Sequence, residues 1–230
     1  MVRDISKLEK KLGISFKNKD LLRTAFVHRS YLNENPDFKL PHNERLEFLG
    51  DACLELVVTE YLYKNFPNPE GELTNWRSAL VKGQMLSVIA SRLGLENYLF
   101  LSRGEEKSGG RAREIILANT FEALVGAIYL DRGYRVVQKF IEKNILKELP
   151  EIIEKHLYID PKSRFQELVQ EKVGITPTYK LLKEQGPDHA KIFTMGVYIE
   201  NKQIAQGTGP SKQAAEQIAA SRAIEEWQEE

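Results

Sequence analysis

His42-Asn-Glu44-Arg-Leu-Glu47-Phe-Leu-Gly-Asp51-Ala-Cys-Leu-Glu55-Leu is both apolar and acidic. At about 100° per residue on a helix, Glu44, Glu47 and Asp51 (i, i+3, i+7) share one face within roughly 60°. Around them Leu46, Phe48, Leu49, Ala52, Leu54, Leu56, Val57 and Val58 call for burial, so the acids border a core. The pattern predicts a helix over Glu44–Phe66 that is buried on most sides. Gly50 costs about 1 kcal/mol of helix propensity relative to Ala and lets another backbone approach closely.

A second apolar helix is predicted over Glu114–Leu130. In it Asn119 and Glu122 are i, i+3 neighbours among Ile115, Ile116, Leu117, Ala118, Phe121, Ala123, Leu124 and Val125. If the two helices pack face to face, Glu47, Asp51, Asn119 and Glu122 converge. Clustered, partly desolvated carboxylates repel, and they either take up protons or bind a hard cation. An all-oxygen set suits Mg²⁺ or Mn²⁺ rather than zinc. The same spacing also fits a solvated helix face or pairs with Arg45 or Arg77, and spacing alone leaves both readings open.

Outward from these two helices the first 150 residues are helical throughout. Short amphipathic stretches are expected at Ile5–Leu12 and Leu21–Leu32, a longer one at Leu73–Leu93, and another at Val136–Leu146. Gly104–Arg111 reads as a charged, glycine-rich connection. Residues 151–160 read as a linker and hinge. Beyond them Asp160-Pro161 signals a helix start, followed by strands at Thr178–Lys183, Lys191–Glu200 and Gln203–Gly207 and an Ala-rich helix at Ser211–Trp227. Asn201-Lys202 is the expected hairpin turn. The fold class expected is therefore two domains: an all-α domain over 1–150, then a small α+β domain of order α-β-β-β-α over 161–230.

The 230 residues carry 33 Lys+Arg and 33 Asp+Glu, so no uniformly basic coat exists and any anion-binding surface must be local. Residues 161–230 alone hold 9 Lys+Arg against 10 Asp+Glu, so charge does not identify a partner. Apolar runs of about nine residues are too short to span a membrane. The N-terminal residues lack the apolar core of a signal peptide. Secreted, membrane and disordered classes are not expected, and a cytoplasmic protein is. The one cysteine, Cys53, excludes an intrachain disulfide and a Cys-based zinc site, and reads as a small buried hydrophobe. His28, His42, His156 and His189 form no obvious cluster, and no small-molecule organic cofactor is expected.

Asn43-Glu-Arg-Leu-Glu-Phe-Leu-Gly-Asp51 resembles the nine-residue signature of ribonuclease III, the double-stranded-RNA endonuclease. Glu70-Gly-Glu-Leu-Thr and Leu117-Ala-Asn-Thr-Phe-Glu122-Ala-Leu-Val-Gly-Ala-Ile-Tyr-Leu-Asp131 extend the likeness. The C-terminal segment resembles the family's double-stranded-RNA-binding domain, so the match spans nearly the whole chain in the bacterial domain order. The resemblance implies an endonuclease domain over 1–150 in which Glu47, Asp51 and Glu122 are catalytic, metal-binding carboxylates. Glu44 and Glu70 fall at supporting acidic positions, and Phe48 at an aromatic that inserts into the second subunit of a homodimer. It implies hydrolysis of both RNA strands to 5′-phosphate and 3′-hydroxyl ends, in the processing of rRNA and mRNA precursors.

Asn119 departs from the family, which has Asp there. An amide keeps one oxygen ligand and loses a charge, so the chain is expected to bind duplex RNA and cut it slowly. Either a deliberate change or a natural variant accounts for it, and the well-matched flanks favour the first. The alternative is a non-cleaving double-stranded-RNA-binding protein on the same fold. A-form RNA is read through minor-groove 2′-hydroxyls and phosphate spacing. The resemblance assigns Gln166 and Glu167 to one minor groove, His189 to the next, and Ser211 and Lys212 to the phosphates between them. Pro210 and Gln213 stand where the family often has further lysines.

Overall fold

A computed structural model describes residues 5–187 and 191–229. The chain divides into two compact units, Met1–Tyr158 and Ile159–Glu230.

The first unit is helical: α1 (Ile5–Leu12), α2 (Lys19–Thr24), α3 (Arg29–Glu34), α4 (Glu44–Asn65), α5 (Glu70–Val81), α6 (Gly83–Arg92), α7 (Arg103–Lys107), α8 (Gly110–Arg132), α9 (Tyr134–Asn144) and α10 (Leu149–Glu154). The long helices form where the periodicity puts them, and the breaks have local causes. Leu21–Leu32 is not one helix, because Val27 is extended and bridges Phe100. His28 N–H donates to Phe100 O, and Phe100 N–H to Phe26 O. Leu73–Leu93 is likewise interrupted at Lys82, whose ψ of 141° separates α5 from α6. The charged connection overlaps α7, capped by Ser102 Oγ accepting from Glu105 N–H, and the start of α8. Residues 151–154 of the expected linker belong to α10. Leu149 and Ile152 of α10 are buried in the first core, and Pro150 sits in the first turn, where its missing N–H has no cost.

α4 and α8 cross at the centre of this core. Leu54, Val57, Val58 and Leu62 of α4 and Phe121, Leu124, Val125 and Ile128 of α8 are all buried in it. Two glycines let the backbones touch. A Cβ at Gly50 would lie 1.7 Å from the Glu122 carbonyl oxygen, and one at Gly126 2.3 Å from that of Leu46. α4 is not buried on most sides, however. Phe48 is 81% exposed, Leu56 57% and Tyr63 80%, and at about 100° per residue they form a second apolar stripe roughly opposite the core face. Hydrophobic periodicity registers both stripes and cannot tell a core from a surface left for a partner. Glu44, Glu47 and Asp51 fall between the two.

The second unit is α11 (Pro161–Val173), β1 (Thr178–Gln185), β2 (Ile192–Ile199), β3 (Lys202–Gly209) and α12 (Lys212–Glu229). Asp160 caps α11 by accepting from Lys162 N–H and Ser163 N–H, with Pro161 at the first position. The sheet is antiparallel in the order β1-β2-β3, with Tyr179 opposite Val197 and Val197 opposite Ala205. The β2–β3 turn sits at Glu200-Asn201, one residue earlier than the composition suggests, and Glu200 has φ 53°. Phe165, Val169, Val197, Ala205, Ala219, Ala220 and Ala223 make the core. α12 lies close against β3, since a Cβ at Gly207 would stand 2.3 Å from both Ala215 O and Ala219 N. Phe193 is only partly buried and lies under Lys212 Nζ, 6.0 Å from its ring centroid. The architecture is thus an all-helical unit followed by an α-β-β-β-α unit. Among the described residues no helix is long and apolar enough to cross a membrane.

Candidate active site

The acidic face begins at Asn43, a buried residue whose side chain does not cap its own helix. Its Nδ2 donates to Ala25 O at 3.2 Å and its N–H to Val27 O at 2.9 Å. Its carbonyl accepts from Leu46 N–H and Glu47 N–H, both at 2.9 Å. The first turn of α4 is thereby tied to the extended segment around Val27. The sequence reading missed this role; the available signal is an Asn immediately before an acidic first turn, which reads as an ordinary cap.

Glu44 is exposed, with Arg29 Nη1 at 3.7 Å and His42 Nδ1 at 3.8 Å. Glu47 is partly buried, and burial raises its pKa; the charges of Glu44 and Asp51 add to this, while a hydrogen bond from Asn119 opposes it. Glu122 is pushed up from 4.5 to about 8, first by burial and then by the charges of Asp51 and Glu47. Asp51 itself is exposed. Glu47, Asp51, Asn119 and Glu122 therefore share one site across the α4–α8 crossing. Among the described residues no Lys, Arg or His forms an ion pair with any of the three acids.

Glu70 does not join them within this chain. It is exposed at the start of α5, accepts from Thr74 Oγ1 at 3.0 Å, and is not among the charges acting on Glu47 or Glu122. His28 caps α3 through Nδ1, which accepts from Ser30 N–H, and burial depresses its pKa. His42 adds to that depression, so these two histidines, far apart in the chain, feel one another's charge.

An all-oxygen set of three carboxylates and one amide, with unbalanced negative charge and partial burial, fits a hard divalent cation. Like charges also repel, and among the described residues no three His, Cys, Asp or Glu side chains stand grouped as a metal cage.

In the second unit Gln166 and Glu167 are exposed on α11. Ser211 Oγ accepts from Ala214 N–H and so caps α12, while Lys212 stands exposed in its first turn. His189 lies outside the described residues.

Comparison with known proteins agrees with both halves. Residues 18–149 match the family model "Ribonuclease-III-like", and residues 161–226 the model "Double-stranded RNA binding motif". The chain is 46% identical over 224 residues to Ribonuclease 3 of Streptococcus thermophilus, covering 96% of each protein. It is 43% identical over 226 residues to Ribonuclease 3 of Chloroflexus aurantiacus, covering 97% of this chain and 91% of that one. Among solved structures, the ribonuclease III nuclease domain of Campylobacter jejuni superposes with a TM-score of 0.58 at 40% identity, covering 65% of this chain and 98% of that one. A second structure of that domain (TM-score 0.55, 42% identity, 61% and 98% covered) is described as flexible in a region involved in dimer formation. A helical nuclease unit joined to a duplex-RNA-binding unit is the class that fold and sequence define. The chain belongs to the ribonuclease III family of double-stranded-RNA endoribonucleases, which are divalent-metal-dependent nucleases.

Proposed function

We propose that Glu47, Asp51 and Glu122 are the catalytic, metal-binding carboxylates of this chain, with Asn119 in the fourth position and Glu44 and Glu70 in supporting roles. The observation that carries this is the partly buried, unbalanced negative charge at the α4–α8 crossing, where burial first and then the charges of Asp51 and Glu47 hold the Glu122 carboxyl at about 8. Mg²⁺, with Mn²⁺ as substitute, is the proposed ion; bound there it supplies hydroxide near neutral pH and stabilises charge on the phosphate. Glu47 and Glu122 would hold it as carboxylates, and Glu122, held at about 8, would give up its proton on binding. Gln166, Glu167, His189, Ser211 and Lys212 would set the duplex in register through 2′-hydroxyls and phosphates.

The active form proposed is a homodimer joined through the exposed stripe of α4, with Phe48 of each copy entering the other. It would act in the cytoplasm on rRNA and mRNA precursors, in keeping with a thiol, Cys53, that is buried and free. Cuts in both strands would leave 5′-phosphate and 3′-hydroxyl ends.

Asn119 donates to Glu47 where an Asp would add a negative charge. The chain as it stands is therefore expected to cut slowly. The test compares it with Asn119→Asp on a long RNA duplex in Mg²⁺; the Asp form is expected to cut faster by on the order of 100-fold. Equal rapid cutting by both removes the impairment, and duplex binding without cutting by either favours a non-cleaving binding protein. Lys212→Ala is expected to weaken duplex binding evenly across sequences and to reduce the slope of log affinity against log salt by about 1. An unchanged slope would take Lys212 out of the phosphate contacts.

A further inference from the structure

Gly126 lies on α8 one helical turn beyond Glu122 and is buried. A Cβ there would stand 2.3 Å from Leu46 O, 3.1 Å from Gly50 N and 3.2 Å from Leu46 C, all backbone atoms of α4. The contact is returned by Gly50, whose missing Cβ leaves room for the Glu122 carbonyl. At both points the backbones touch beside an acid: Leu46 precedes Glu47, Gly50 precedes Asp51, and Glu122 itself carries one of the carbonyls. No side chain lies between them, so no rotamer change can absorb a misfit. Gly83 of α6 provides the contrast, because a Cβ there would meet only Ala118 Cβ at 3.7 Å, an ordinary contact.

We propose that Gly126 is a positioning residue for RNA cleavage: its bare backbone, seated on the Leu46 carbonyl, sets the helix separation at which Glu122 stands against Glu47 and Asp51. A methyl group at Gly126 must move Leu46 O from 2.3 Å to beyond 3.0 Å, a displacement of at least 0.7 Å. Misplacement on the order of 1 Å costs about 100-fold in rate when several groups must act on one centre. The inference rests on the carboxylate reading given above.

The experiment uses the full-length chain with Asn119→Asp as parent, and compares Gly126→Ala with Gly83→Ala. Folding is followed by circular dichroism, Mn²⁺ affinity by electron paramagnetic resonance, duplex affinity in EDTA, and single-turnover cleavage in Mg²⁺. Gly126→Ala is expected to fold and to bind duplex RNA as the parent does, but to bind Mn²⁺ at least about 10-fold more weakly and cut about 100-fold more slowly. Gly83→Ala is expected to match the parent in every measurement. Parental Mn²⁺ affinity and cleavage in Gly126→Ala would overturn the proposal, as would equal losses in Gly83→Ala. Failure of Gly126→Ala to fold would overturn it too, by making the residue one of stability rather than spacing. A parent that neither binds Mn²⁺ nor cuts overturns the carboxylate reading, and this proposal with it.

Discussion

Glu122→Gln, made in the Asn119→Asp protein, is expected to lower cleavage by on the order of 1000-fold or more and yet to stabilise the metal-free fold at pH 8. The carboxyl is held at about 8 in the folded protein against 4.5 as the ordinary value, by burial and by the charges of Asp51 and Glu47. Folding therefore favours its protonated form. The stability it contributes is complete below pH 4.5 and is lost as pH rises towards 8, where the ionised group must sit among like charges. Gln keeps the shape and removes the titration. Converted at about 1.4 kcal/mol per pH unit and discounted because solvent reaches part of the side chain, the gain is about 2 kcal/mol at pH 8 and close to zero near pH 4. Urea unfolding in EDTA across pH 4–8 measures it. Glu47, raised for the same reasons, leaves a smaller slope of the same sign in the variant. Identical pH profiles for Glu and Gln would mean that the site is fully solvated and its charges uncoupled.

The second large effect falls on the other unit. Phe165 is fully buried and meets Trp227 edge-on at 6.2 Å, in a core otherwise made of two valines and four alanines. Phe165→Ala is expected to cost about 3–5 kcal/mol, a large share of what so small a domain has in total. The calorimetric transition of residues 159–230 should drop steeply or vanish, while that of the helical unit stays within a degree or two. Duplex affinity should fall with the fraction of the small domain that remains folded. A single transition moving as a whole would show instead that the two units melt together.

What could be read from residues alone follows the physics of each signal. The α4 and α8 segments were legible because both helices are long and apolar and carry acids at helical spacing, and the strand of residues 192–199 because it alternates. Breaks set by distant partners were not legible. Val27 is extended because Phe100, 73 positions away, bridges it, and nothing in Leu21–Leu32 announces that. The buried and exposed stripes of α4 are both apolar, so hydrophobic pattern alone does not sort Phe48 and Tyr63 from Leu54 and Leu62. Glu47, Asp51, Asn119 and Glu122 were selected by spacing and resemblance, but the charge coupling that ties them together needed the crossing. Asn43 escaped because its partners, Ala25 and Val27, lie outside the helix it begins.

The seat of α4 on α8 also governs when this chain can acquire a structure. All-helical domains usually fold early because their contacts are local. Here the central contacts join residues 46–50 to 122–126, a bridge joins Val27 to Phe100, and Asp131 accepts from the backbone of Lys17 and Asn18. During synthesis α4 would emerge with its core face bare and wait for about 70 more residues, roughly 4–15 s at ordinary elongation rates. The nascent chain is most open to chaperones and proteases in that interval, which closes only when α8 has left the ribosome.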